Sequence, residues 1–217
     1  MAEEWITVSD TGFAEVVEKK SRFIGEAFHA ASQEEAENEL QRVRREHYDA
    51  RHHCSARILG GYAPADGSPA KPPELRFSDD GEPSGTAGRP ILEVLQGAGV
   101  TDCMIIVTRY FGGTLLGTGG LVRAYTETAK EALAAAKIVR MCPCENLKLI
   151  FPYALHDRVR YILKQYGIRG AEPVFTDRVT MRLQTPASEK DALVRELTEQ
   201  SAGQIIIESE GSCFSCF

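Results

Sequence analysis

No stretch of the chain approaches about eighteen uninterrupted apolar residues, which excludes a membrane-spanning helix. The first residues, Met1-Ala-Glu-Glu-Trp-Ile, are acidic and lack the basic segment and apolar core of a secretory signal, so the expected location is the cytoplasm, with no membrane partner. Positive charge is also in short supply. Lys and Arg total 25 against 31 Asp and Glu, a net charge of −6, which argues against a protein that binds nucleic acid over its whole surface. No Gly-Lys-Ser/Thr completes a P-loop, and no Gly-x-Gly-x-x-Gly opens a Rossmann unit. Nothing in the sequence pairs up as a catalytic triad.

What is present is 217 residues of ordinary hydrophobic content, enough for one large domain or two modest ones with real cores. Segments 13–19 and 22–29 read as strands joined by a short turn. Ser32 caps a helix to about Glu46, and Glu35 three positions on completes a capping box. A strand at 53–59 follows, then a loop at 60–73 rich in Gly, Pro, Ala and Asp. A helix from Pro90 stops at Gly97 and Gly99. The most apolar strand, 103–108, is expected to be central, and a long helix runs from Gly119 and Gly120 to about Ala136. Beyond Cys142 the order is strand 147–151, helix 154–166, strand 168–175, a turn at Thr176 and Asp177, strand 178–184, a helix capped by Ser188, and strand 204–208. That β-α-β-β-α-β order is the ferredoxin-like plan. The expected division is 1–138, 142–211 and a tail at 212–217.

Chemistry concentrates in four places. The loop 108–120 carries five glycines, Gly112, Gly113, Gly117, Gly119 and Gly120, between an apolar strand and a helix start. Glycine lets backbone approach closely, and helix-start N–H groups attract anions. Arg109 and Arg123 stand at its rim. The string 77–90 holds Asp79, Asp80 and Glu82, which either bind a cation or act as bases, or close an acidic turn on its own backbone; Ser84 and Thr86 add hydroxyls. Residues 41–57 place Arg42, Arg44, Arg45, Arg51 and Arg57 against Glu46 and Asp49, with His47, His52 and His53 as further donors. Adjacent strand residues face opposite ways, so His52 and His53 cannot both enter one site. Finally, Cys142-Pro-Cys144 and Cys213-Phe-Ser-Cys216 flank the second unit, where first and last strands are neighbours. These four thiols either form a structural zinc site or stand unliganded.

Lys19-Lys-Ser-Arg-Phe-Ile-Gly, Asp49-Ala-Arg-His-His-Cys, the string 77–90 and Val107-Thr-Arg-Tyr-Phe-Gly-Gly-Thr-Leu-Leu-Gly-Thr-Gly-Gly-Leu-Val-Arg-Ala-Tyr together resemble the bacterial YigZ-like branch of the IMPACT family (UPF0029). The resemblance implies an α/β (α+β) chain: an N-terminal domain of the ribosomal protein S5 domain 2-like class, then a ferredoxin-like domain similar to the last domain of elongation factor G. Neighbouring domains of that factor have these architectures, which implies contact with RNA or the ribosome. Eukaryotic relatives regulate translation through a stress-kinase partner with an added RWD domain; that role is not carried over. The resemblance implies shared positions at Arg51, His52, His53, Asp79, Asp80, Glu82, Thr86, Arg109, Gly112, Gly113, Gly117, Gly119 and Gly120. The cysteines fall outside its pattern. The expected function is non-enzymatic RNA or ribosome binding in translation, with no required cofactor. A phosphate-acting enzyme using the glycine loop and the acidic turn, or a protein-interaction module, are the alternatives.

Overall fold

The computed structural model describes residues 4–63, 69–168 and 172–216. Parts of the expected loop at 60–73 and strand at 168–175, namely 64–68 and 169–171, lie outside the described residues, as does residue 217. The chain is a mixed α/β protein that divides into two units. The first holds 5–63 and 69–140; the second is built from Met141 onward.

The first unit carries β1 (Trp5–Asp10), β2 (Gly12–Glu18), β3 (Ser21–His29), α1 (Gln33–Glu46), β4 (His52–Leu59), β5 (Glu74–Ser78), α2 (Gly88–Ala98), β6 (Cys103–Tyr110) and α3 (Gly117–Ala135). Its sheet runs β2-β3-β6-β4-β5, antiparallel throughout. The unbroken apolar run of β6 does occupy the centre, buried from Cys103 to Arg109. One face is covered by α2 and α3 over Phe23, Ile91, Leu95, Ile105 and Tyr125; the other by α1 over Phe28, Val43 and Ile106. Burying both faces of β6 explains why its sequence shows no alternation.

Local signals account for several element ends. Ser32 Oγ accepts from Glu35 N–H at 3.2 Å, while the Glu35 carboxylate reaches Ala31 N–H at 2.8 Å, one residue before the position a capping box uses. Gly99, at φ +66°, closes α2, so Gly97 lies inside the helix. The hairpin turn between β2 and β3 falls on Lys19 and Lys20, both left-handed, at φ +45° and +66°.

The second unit contains β7 (Lys137–Phe151, which starts in the first), a 3-10 turn (Tyr153–Leu155), α4 (His156–Gln165), β8 (Val174–Phe175), β9 (Val179–Pro186), α5 (Lys190–Gln200) and β10 (Ile206–Cys216). β10 pairs with β7, β7 with β9, and β9 with β8, all antiparallel. Leu147, Leu149, Phe151, Met181 and Leu183 pack on Val159, Ile162, Leu163, Leu193 and Leu197.

Other expectations change, and the described part of the expected strand at 168–175 is strand only at Val174 and Phe175. β1 and β5 are strands that the sequence pattern does not announce. The expected helix at 154–166 starts as a 3-10 turn at Tyr153–Leu155, which Pro152 precedes in extended geometry. Ser188 is not the cap of α5; Glu189 occupies that position and makes no side-chain cap bond. The expected tail is strand through Cys216, because a register shift between Ser209 and Ser212 absorbs Glu210 and Gly211 and lets pairing resume. Among the described residues no helix is long and apolar enough to cross a membrane.

Candidate nucleic-acid interface

Strand direction gathers cations at one end of the first unit's sheet. β3 and β4 begin where β6 ends: Arg22 pairs with Tyr110, and His52 with Arg109. That register brings together exposed Lys19 and Lys20 of the hairpin turn, exposed Arg22 and Arg51, and the loop leading into α3. The end of α1 is tied to the same place, since His47 Nδ1 lies 3.0 Å from the Tyr110 hydroxyl, which also donates to Asp49 at 3.0 Å. Tyr48 between them is 84% exposed, Phe111 56% and Leu115 83%.

Behind this surface the acidic turn closes on the protein itself. Asp79 Oδ1 accepts from Ala87 and Gly88 N–H at 3.0 and 2.8 Å, and Oδ2 from Gly85 N–H at 2.8 Å. It thereby caps α2 from nine positions upstream of Gly88. Asp80, at φ +39°, takes Arg44 at 2.9 Å and the His53 N–H at 2.7 Å, and its carbonyl accepts from His52 Nδ1–H at 2.9 Å. Glu82 is buried and accepts from Arg109 at 2.6 Å and from Tyr125 Oη at 2.9 Å, while the Cys54 thiol reaches the same Tyr125 oxygen at 3.4 Å. Thr86 Oγ1 donates to Pro83 O at 2.6 Å. Burial pushes Cys54 up to about 12 and raises Tyr125 further, so both stay protonated. Burial also lowers His53, whose Nε2–H donates to the His47 carbonyl at 3.2 Å.

Asp79, Asp80, Glu82, Thr86, His53 and Arg109 therefore form an internal clasp. The carboxylates are engaged by protein groups, and the Arg109 charge is compensated by Glu82, with its guanidinium 5.4 and 5.7 Å from the Phe23 and Phe111 rings. His52 is bonded through Nδ1. Arg51 and Arg123 face solvent.

The glycines divide the same way. A Cβ on Gly112 would lie 2.0 Å from the Lys20 carbonyl carbon, so Gly112 is required for β6 to pass the hairpin turn. Gly113 and Gly117 need their positive φ of +84° and +72°. A Cβ on Gly119 would meet nothing within 4 Å, and one on Gly120 only the Leu116 side chain. Leu116 at the N-cap offers no side-chain bond, and the first turn of α3 has no acidic residue. The start of a 19-residue helix is thus open, smooth and uncapped.

Elsewhere, Glu26, Glu46 and His47 bring one ligand atom each within 4.8 Å of one another, the one group of three among the described residues whose ligand atoms already stand that close. Only Glu26 of the three is buried, and Arg42 holds Glu26 and Glu46 at 2.7 Å each and Glu39 at 2.6 Å. The four cysteines do not converge as expected. Register sets Cys213 opposite Cys144 and Ser215 opposite Cys142, but Cys216 opposite Met141, on the other face. Burial and Cys142 push Cys144 up to about 12.

Residues 19–133 match the Impact N-terminal domain, and residues 149–204 a domain of unknown function (DUF1949). An IMPACT family member of Haemophilus influenzae is 36% identical over 96% of this chain and 97% of its own. The family member YigZ of Escherichia coli is 38% identical over 86% and 88%, and YvyE of Bacillus subtilis 31% over 94% and 90%. A solved structure described as a hypothetical protein is 35% identical, with TM-score 0.60 over 95% of this chain and 97% of that one. The sheet-end geometry, the clasp and the glycine loop all lie in the matched segment: this chain belongs to the IMPACT family (UPF0029), with YigZ-like bacterial proteins as relatives.

Proposed function

We propose that the chain is a non-enzymatic RNA-binding protein that acts on ribosomal or other structured RNA through this sheet end. The observation that carries it is the exposure of Tyr48 and Phe111 among Lys19, Lys20, Arg51 and the open start of α3. Cations and helix-start N–H groups hold phosphates, and exposed rings stack unpaired bases. A local cationic edge reconciles this with the net charge of −6. The strand order of the second unit supports a ferredoxin-like domain, and the first unit supports an S5 domain 2-like one, the pairing that leads to the ribosome. The enzymatic alternative is weaker, because the carboxylates it needs at Asp79, Asp80 and Glu82 are committed within the clasp.

Cosedimentation with ribosomes and with free RNA across a salt series tests this. Replacing Lys19, Lys20, Arg51 and Arg123 by Ala is expected to weaken binding and flatten its salt dependence, by about 0.7 in log-log slope for each single-strand phosphate that is no longer neutralised. Arg89→Ala, which removes an exposed α2 cation paired with Glu93, serves as control. Unchanged binding by the folded quadruple variant would sink the proposal.

A further inference from the structure

The second unit carries a cluster that the RNA surface does not use. Cys142 and Cys144 are two residues apart on β7 and share one face; Cys213 of β10 stands directly opposite Cys144. The Cys142 and Cys144 sulfurs are 3.8 Å apart. In a tetrahedral zinc–thiolate centre with Zn–S near 2.3 Å, the sulfur–sulfur edge is also about 3.8 Å. Two sulfurs thus already sit at the spacing that one cation imposes, joined by a thiol–thiol hydrogen bond and not by a disulfide. Cys-Pro-Cys on a strand keeps them there: Pro143 fixes the intervening backbone, and its carbonyl accepts from Ala187 N–H at 2.9 Å.

The third sulfur is supported from a different strand. Gln184 of β9 donates its amide N–H to Cys213 Sγ at 3.6 Å and to Asn146 Oδ1 at 3.2 Å. These bonds hold Cys213 in its resting rotamer. Cys213 Sγ bonds Asn146 Oδ1 at 3.6 Å and lies outside the reach of the other two sulfurs, so the site requires its side chain to rotate toward the Cys142–Cys144 pair across the ladder. Cys216 faces the other way and takes no part. Cys54 and Cys103 are fully buried in the other unit and do not compete.

We propose that Cys142, Cys144 and Cys213 form a three-thiolate site for a soft d10 cation. Thiolates exclude hard cations such as Mg²⁺ and select Zn²⁺ or Cu⁺; three sulfurs suit Cu⁺ as a trigonal set, and Zn²⁺ with a fourth ligand from solvent. Binding releases the thiol protons and changes no oxidation state. The site is independent of RNA binding.

The test uses the full chain, reduced with a non-chelating phosphine under anaerobic conditions. Co²⁺ serves as the spectroscopic probe, Zn²⁺ as its competitor, and Cu⁺ is titrated against a chromophoric chelator; the last two arms identify the preferred cation. One equivalent of Co²⁺ is expected to give a sulfur-to-metal charge-transfer band that Zn²⁺ or Cu⁺ abolishes. Cys142→Ser, Cys144→Ser and Cys213→Ser should each reduce that band by roughly a third or abolish it, as expected for three sulfur ligands. Cys216→Ser should leave it intact. Gln184→Ala, which keeps all three sulfurs and frees the resting Cys213 rotamer, should leave the band intact. Circular dichroism without metal confirms that each variant is folded. Absence of a charge-transfer band in the folded wild type, a loss with Cys216→Ser equal to the others, or a Cys144–Cys213 disulfide forming under mild oxidation despite saturating Zn²⁺ would each overturn the proposal.

Discussion

At the scale of single residues, the hairpin turn holds the clearest conflict between stability and surface chemistry. Lys19 and Lys20 both adopt the left-handed conformation, which costs a non-glycine residue roughly 1 kcal/mol each. Asn-Gly is the preferred pair for such a turn. The double change Lys19→Asn, Lys20→Gly is therefore expected to stabilise the chain by about 1–2 kcal/mol in urea unfolding, yet to weaken RNA association. Glu82 behaves in the opposite sense. Glu82→Ala strands the buried Arg109 cation and should cost about 3–5 kcal/mol in the same measurement. His53 adds a pH dependence. Its folded pKa lies below the ordinary histidine value of 6.5, so in acid the unfolded chain takes up a proton that the folded chain resists. The contribution is fully present above about 6.5 and declines as pH falls toward the folded value. His53→Gln should accordingly lose less stability than wild type between about pH 7.5 and 5.5, read from urea midpoints.

At the scale of elements, the start of α3 separates structural glycines from the rest. Gly119→Ala meets no atom within 4 Å and should stabilise the helix by about 0.5–1 kcal/mol. Gly112→Ala, which collides with the Lys20 backbone, should unfold the sheet end. If RNA approaches the backbone at α3, Gly119→Ala also weakens binding, and paired melting and binding curves read both effects. Sequence alone identifies α1, α2, α3, β3 and β6 well, because caps, glycine stops and long apolar runs leave strong signals. It misses β5, where Glu74, Arg76 and Ser78 alternate with two exposed apolar residues on an edge strand, so the segment looks like loop. It shortens β10 because Glu208 to Ser212 is polar and includes the register shift. The acidic turn is visible as a group of residues, but whether its carboxylates face a cation or their own backbone depends on contacts between segments far apart in sequence. The exposure of Tyr48 and Phe111 is hidden for the same reason: aromatic residues read as core until the fold shows them outside.

At the scale of the whole molecule, two separate cores accompany the two units, one around β6 and one around β7 and β9. Leu197→Ala, at a fully buried position of the second core, should cost about 2–5 kcal/mol there. Hydrogen exchange should show the added opening in α4, α5 and β7–β10, with β3 and β6 protected as before. The clasp has its own consequence for how the chain comes into being. Its bonds span 27 positions from Glu82 to Arg109, 43 from Glu82 to Tyr125 and 36 from Arg44 to Asp80. Such distant partners meet only after the intervening chain has been made, and long-range closure is slow. During synthesis Asp79 and Asp80 can close on neighbouring or earlier-made partners, but Glu82 must wait, unlatched, until Arg109 and Tyr125 have left the exit tunnel, so a stalled shorter chain carries that one acidic side chain free.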